Sequence, residues 1–310
     1  MSKIPIIIDT DPGTDDATAI LMCLGCDKLD IRAITTVAGN VGIEKASNNA
    51  RKIVELSGKD IKVAVGAKTP IIREVIDAEF VHGSTGLGNV TLNEPTIAYY
   101  EKDAVDTIYE EAMIADGKLK ILALGPLTNI AVALLKYPQL KDKIESIVFM
   151  GGAINHGNVT SSAEFNIYVD PEAAKIVFES GIHLVMVGLD VTHNTIVTQE
   201  ENKRIHKLNS QVAQVVAKLI DYTIDRESPY NQLGGVMHDP LAAAVIIDSS
   251  VIETEFYHVD VELKSDITRG KTVADVFRVT DNKPNIHVGI KSDNKKFIDI
   301  LERTILTYEV

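Results

Sequence analysis

Four aspartates, Asp9, Asp11, Asp15 and Asp16, fall within eight residues near the start of the chain, in the stretch DTDPGTDDA. Carboxylates this close raise one another's pKa and resist joint ionisation, so a hard divalent cation is the simplest compensation. Calcium takes about six to eight oxygen ligands at roughly 2.3 to 2.6 Å, and magnesium about six nearer 2.0 Å. With no cysteine or histidine in the cluster, zinc is disfavoured. Capping of a helix asks for fewer acids than this.

The elements around the cluster must bring it to one place. Residues 4–8 form an apolar run broken only by Pro5, the pattern of a central parallel strand buried on both faces. Asp9 and Asp11 then sit just past its carboxyl end, where open α/β sheets bind ligands. Pro12 and Gly13 allow a sharp turn, Thr14 or Asp15 is placed to cap, and residues 17–24 continue as a helix.

The alternation repeats along the chain. Strands are expected at 31–37, 61–65, 119–124, 144–150 and 184–189, and helices at 43–56, 103–115, 130–135 and 170–179. The stretch 66–99, carrying HGSTGLGN, is long for a connection in a compact domain, and its glycines point to a mobile lid. Further on, 198–208, 211–225 and 241–247 read as helices, the last opened by His238-Asp239-Pro240. Residues 256–263 and 272–279 read as an antiparallel pair at the sheet edge, and 294–308 as a closing amphipathic helix. The expected fold is α/β: one domain over residues 1–310, with an open, mostly parallel Rossmann-like sheet, helices on both faces and an antiparallel edge.

Composition narrows the function. The 310 residues are 45% hydrophobic, enough for a sizeable core, and carry a net charge of −13. That charge argues against a nucleic-acid partner. No signal-type apolar region opens the chain and no run approaches the roughly 18 apolar residues of a membrane helix, so a cytoplasmic protein without a membrane partner is expected. The two cysteines, Cys23 and Cys26, follow a helix rather than open one, and read as thiols in a reducing compartment. Asn40, Asn158, Glu164 and Asn166 add groups suited to sugar hydroxyls, although each alone is also an ordinary turn or capping residue.

DTDPGTDDA (9–17), TVAGN (36–40), HGSTGLG (82–88), ALGPLTNIA (123–131), MGG (150–152), NVTSSAEFNIYVDPEAA (158–174) and HDPLAA (238–243) together resemble the inosine-uridine-preferring nucleoside hydrolases, in the right order over essentially the whole chain. The resemblance implies a calcium ion bound by Asp11, Asp16, Asp239 and the backbone carbonyl of Leu124, with Asp11 also positioning the nucleophilic water. It further implies that Asp15 and Asn166 hold the 2'- and 3'-hydroxyls of a ribonucleoside and that Asn158 and Glu164 hold the 5'-hydroxyl. Asn40 would lie beside the water, Met150 and Phe165 near the sugar, and Asp9 behind the cluster. Members of this family assemble as homodimers or homotetramers, so the same is expected here.

The chemistry agrees with that assignment. Hydrolysis of an N-glycosidic bond passes through an oxocarbenium-like sugar, which surrounding carboxylates stabilise. A cation makes a better nucleophile of its bound water, and Asp11 as general base takes the proton. His238, beside Asp239, is the candidate acid for the leaving base, since an unperturbed histidine has a pKa of about 6.5. His82 can contact the base or serve the loop; the resemblance implies base contacts for Tyr230, by stacking, and Arg226, by a bond to a base carbonyl, and both read equally as surface residues of a mobile segment. The other histidines, His193 included, read as structural or exposed. Two alternatives stay open on sequence alone: a haloacid-dehalogenase-like phosphohydrolase, which also opens with a strand and Asp-x-Asp, and a non-catalytic nucleoside-binding module.

Overall fold

The computed structural model describes residues 3–229 and 233–309. The chain begins with β1 (Ile4–Thr10), α1 (Thr14–Leu24), β2 (Leu29–Thr36), α2 (Ile43–Ser57) and β3 (Lys62–Val65). After a long connection containing the single turn α3 (Glu79–His82) come α4 (Ala104–Ala115), β4 (Leu119–Ala123), α5 (Thr128–Lys136) and β5 (Ile144–Met150). Next are α6 (Phe165–Val169), α7 (Pro171–Phe178), β6 (His183–Val187), α8 (Leu189–Thr192), β7 (Ile196–Val197) and α9 (Gln199–His206). The last part holds α10 (Gln211–Glu227), β8 (Gly235–Val236), α11 (His238–Ile247), β9 (Ile252–Tyr257) and β10 (Val259–Val261), then β11 (Thr272–Ala274), β12 (Ile286–Ser292) and α12 (Asn294–Leu306).

Eight strands form the central sheet in the order β3-β2-β1-β4-β5-β6-β12-β9. All neighbours are parallel except β9, which runs antiparallel to β12 at the edge. Side chains of β1 alternate between two cores. Ile6 and Ile8 pack with Ile20 of α1, Ile53 of α2, Leu241 of α11 and Leu301 of α12. Ile7 packs on the other face with Ile108 of α4, Ile130 of α5 and Val177 of α7. This two-sided burial is why the strand reads as a continuous apolar run.

From β1 the chain winds outward through β2 and β3, then returns to place β4 on the other side of β1. The strand order therefore reverses between β1 and β4, and a crevice opens at their carboxyl ends. Asp11 follows β1, Asn40 lies beyond β2 and Leu124 follows β4. Among the described residues, no helix is long and apolar enough to cross a membrane.

Three expectations need correction. β1 continues to Thr10, so Asp9 lies inside the strand, where its Oδ1 accepts from Thr35 of β2 and from Asn129 of α5. The antiparallel edge is built from β9 and β12, so segment 256–263 reaches it only through Phe256 and Tyr257 at the end of β9. The rest of 256–263 and 272–279 contribute β10 and β11, a separate two-stranded hairpin. The long connection is also tied down along its length. Ile71 N–H donates to Asp170, Arg73 pairs with Glu172, Asn49 Nδ2 donates to the Thr85 carbonyl, and Arg51 donates to the carbonyls of Pro95 and Ile97.

Asp170 holds three elements at once. Its fully buried carboxylate caps α7 through Ala173 N–H and accepts from Thr128 Oγ1 at 2.7 Å and Ile71 N–H at 2.9 Å. Asp170→Ala should therefore cost about 2 kcal/mol or more, combining a lost cap with stranded donors. Urea denaturation measures this, and a cost below about 0.5 kcal/mol would remove Asp170 from that role.

Candidate active site

The first corner is assembled by backbone and side-chain donors that converge on carboxylates. Gly13, rather than Thr14 or Asp15, occupies the N-cap of α1, because Asp16 turns back so that its Oδ2 accepts Gly13 N–H at 2.9 Å. Asp16 Oδ1 accepts from Thr10 Oγ1 at 2.5 Å and Oδ2 also from Asn40 Nδ2 at 2.9 Å. Asn40 N–H donates to Asp11 Oδ2 at 2.7 Å, so one asparagine holds two aspartates. Asp239, in the first turn of α11, arrives from the other end of the sequence because α11 packs on α1.

One carboxylate oxygen each from Asp15, Asp16 and Asp239 lie within 4.8 Å of one another, an acidic cluster compatible with a metal ion. Asp11 lies beside this triple rather than in it, and its Oδ1 is buried with no hydrogen-bond partner among the described residues. Gly39 and Gly125 flank it: a Cβ on Gly39 would lie 2.0 Å from Asp11 Oδ2, and one on Gly125 2.6 Å from Oδ1. Burial first, then the charges of Asp16 and Asp15, push the Asp11 carboxyl well above the usual carboxylate range. Burial and the neighbouring acids raise Asp16 and Asp239 too. This corner is electrostatically unfavourable without a compensating positive charge.

A cavity of about 380 Å³ opens over the corner, a size suited to a small organic ligand. Of the residues expected from sequence, Asp15, Asn40, His82, Leu124, Met150, Asn158, Glu164, Phe165, Asn166, Arg226, His238 and Asp239 all line it. Asp11 and Asp16 lie beneath, fully buried, and Tyr230 is outside the described residues. On the β5 side, Asn166 Nδ2 donates to the carbonyls of Leu124 at 2.7 Å and Met150 at 3.1 Å, so its Oδ1 is the atom available to a ligand hydroxyl. Asn158 Oδ1 accepts Phe165 N–H at 2.9 Å, which leaves its Nδ2 to donate. Glu164 caps α6, accepting from Asn166 and Ile167 N–H, and also accepts from Gly152 N–H. Burial nevertheless pushes its carboxyl up to about 7.

His82 is buried, His238 half-buried and His193 exposed. His82 Nδ1 accepts Thr14 N–H at 3.2 Å, which places the proton of the neutral ring on Nε2, and burial lowers its pKa. His238 is pushed down to about 4 by burial, with Nδ1 at 2.8 Å from Thr192 Oγ1. His193, read from sequence as structural or exposed, also lines the cavity, its ring edge-on to His238 at 5.7 Å. Glu227 and Phe80 line the cavity as well and carry no motif that would announce them. Glu227 lies beside Arg226, whose guanidinium it pairs with at 3.0 Å; Phe80 lies two residues before His82. Asn129, inside ALGPLTNIA, reaches Asp9, the Thr36 carbonyl and Ala67 N–H, linking β1, β2 and the long connection.

Known proteins are similar to this chain from end to end. A family model described as inosine-uridine preferring nucleoside hydrolase matches residues 6–299. The pyrimidine-specific ribonucleoside hydrolase RihA of Shigella boydii is 41% identical over 308 residues, covering 98% of this chain and 99% of the relative. A solved purine-preferring ribonucleoside hydrolase from Gardnerella vaginalis is similar at a TM-score of 0.92 and 35% identity, covering 99% of this chain and 100% of that one. The plant nucleoside hydrolase PpNRh1 is similar at 0.91 and 32% identity, over 97% of this chain and 98% of that one.

The state of Glu164 has a measurable consequence. Below about pH 4 its carboxyl is protonated in both folded and unfolded chains; from there to about 7 only the unfolded chain gives up the proton. Stability from this group is thus full at acid pH and falls as pH rises through about 7. Relative to Glu164→Gln, which cannot ionise, the wild type in chelator should lose thermal stability steadily between about pH 4.5 and 7.5. Melting curves of both proteins give the difference, and a gap that stays level or widens in favour of the wild type is the contrary result.

Proposed function

We propose, from the premise that this chain belongs to the inosine-uridine preferring nucleoside hydrolase family and is a ribonucleoside hydrolase acting on N-glycosyl compounds, that its acidic corner holds calcium and cleaves the bond between ribose and base. The observation that carries the reading is the convergence of Asp15, Asp16 and Asp239 within 4.8 Å, with the unpartnered Oδ1 of Asp11 beside them. An all-oxygen donor set with the Leu124 carbonyl nearby fits a hard cation. Calcium, when bound, would offset the carboxylate repulsion and make water a better nucleophile at neutral pH. Family membership replaces the phosphohydrolase alternative.

The side chains divide the remaining work. Asp11 takes the proton of the attacking water: Asn40 N–H holds one of its oxygens, and the other is free to accept. Asp15 and the Oδ1 of Asn166 receive the 2'- and 3'-hydroxyls, and Glu164 and the Nδ2 of Asn158 the 5'-hydroxyl. Met150 and Phe165 pack against the sugar. As the bond lengthens, the acids around the ring stabilise positive charge on the sugar.

His238 donates the proton that the departing base needs. Because burial holds the ring neutral at rest, the imidazolium is a minority species at neutral pH, and its low pKa makes it a strong donor once formed. His82, with its proton on Nε2, and Arg226 can both donate to acceptors on the base. Turnover of nucleosides in salvage or catabolism by a homodimer or homotetramer completes the reading, with no nucleic-acid or membrane partner.

Inosine, adenosine, uridine and cytidine incubated with the protein should yield free ribose from at least one of them in calcium and none in excess chelator. Ribose release that is indifferent to the chelator would contradict the metal assignment. Asp11→Asn should lower kcat by about 10³-fold, within the range for loss of a general base. His238→Ala should slow natural nucleosides at least about tenfold more than an activated aryl riboside, whose leaving group needs no proton. Equal impairment of both substrates would take the acid role from His238.

A further inference from the structure

Of the three backbone N–H groups that hold the buried Glu164 carboxylate, two belong to its own helical turn, Asn166 and Ile167. Only Gly152 N–H, at 2.9 Å from Oε2, comes from outside α6. The aim of this carboxylate therefore depends on where the loop after β5 puts Gly152. That loop is gripped by the β10–β11 hairpin. Thr272 Oγ1 accepts Ala153 N–H at 2.9 Å and donates to the Ala153 carbonyl at 2.6 Å. Gly152 has a φ of +76°, and a Cβ there would meet Thr272 Cγ2 at 2.9 Å, so the threonine packs flat on the turn.

The same hairpin grips the other flank. Arg269 lies over the Tyr168 ring at 4.2 Å, and a Cβ on Gly270 would lie 2.8 Å from Tyr168 Cα. Tyr168 N–H donates back to the Glu164 carbonyl at 2.9 Å. Thr272 is itself 1% exposed and does not line the cavity.

We infer that Thr272 is a positioning residue for the 5'-hydroxyl subsite, and that the β10–β11 hairpin sets the aim of Glu164 through the Gly152–Ala153 turn. The inference rests on the reading above that Glu164 receives the 5'-hydroxyl. Thr272→Val keeps the shape and removes both hydrogen bonds, stranding the Ala153 N–H and carbonyl. Thr272→Ser keeps the hydroxyl.

The readout is the ratio of kcat/KM for uridine and inosine to that for their 5'-deoxy counterparts. Thr272→Val should lower this ratio about tenfold, the size of one charge-assisted hydrogen bond, and Thr272→Ser should restore most of it. Thr272→Ala, measured alongside, gives the same comparison should the valine variant fold poorly. A threonine that served only stability would lower both rates alike and leave the ratio unchanged, which overturns the inference. Glu164→Gln separates the two claims. If it collapses the ratio while the Thr272 variants do not, only the hairpin's role fails. If Glu164→Gln leaves the ratio intact, the 5'-hydroxyl assignment fails and the inference with it.

Discussion

Repulsion among Asp11, Asp15, Asp16 and Asp239 is the constraint on which the rest of this structure depends. Asp11, Asp16 and Asp239 are buried away from water, and burial first, then the charges of neighbouring carboxylates, raise the proton affinity of these three. The fold offsets part of this with donors aimed at the carboxylates: Thr10, Gly13 N–H and both nitrogens of Asn40. These donors fix where the oxygens lie and leave Asp11 Oδ1 without a partner. A site so arranged is compatible with a metal ion.

The topology explains how these groups meet. Because the strand order reverses between β1 and β4, the ends of both strands border one crevice, and residues on either side of the sheet's midline can face it. Glycine does the close packing there: at Gly39 and Gly125 any side chain would collide with Asp11, so the carboxylate is wedged between two bare stretches of backbone. On the far wall, Glu164 and Asn166 are presented by one short helix whose flanks are held by a hairpin more than a hundred residues later. Packing outside the cavity thus reaches the turn that bonds Glu164 on the cavity wall.

Much of this was legible in the sequence. A strand buried on both faces has to be apolar throughout, so β1 announced itself and the aspartates after it had to lie at a strand end. The amides and acids that line the cavity were legible through motif resemblance. The strand at Ile286–Ser292 was not expected, although its apolar residues alternate, since His287, Gly289 and Lys291 weaken the signal. His193 and Thr272 were not legible as site or supporting residues, because their contacts are with residues far along the chain, and Glu227 lines the cavity without a motif to announce it. The cap of α1 was misread for a related reason: Asp16 bonds Gly13 N–H as part of the cluster, and Gly13 takes the N-cap position.

The central claim is that the acidic corner is completed by a divalent cation. Calorimetric titration of calcium into chelator-treated protein tests it directly. The account predicts about one ion bound per chain with release of protons, because burial and then the neighbouring acids raise the proton affinity of carboxyls that must be ionised to serve as ligands, and it predicts loss of binding in Asp239→Asn. Absence of binding in the wild type, or binding that survives unchanged in Asp239→Asn, would contradict it.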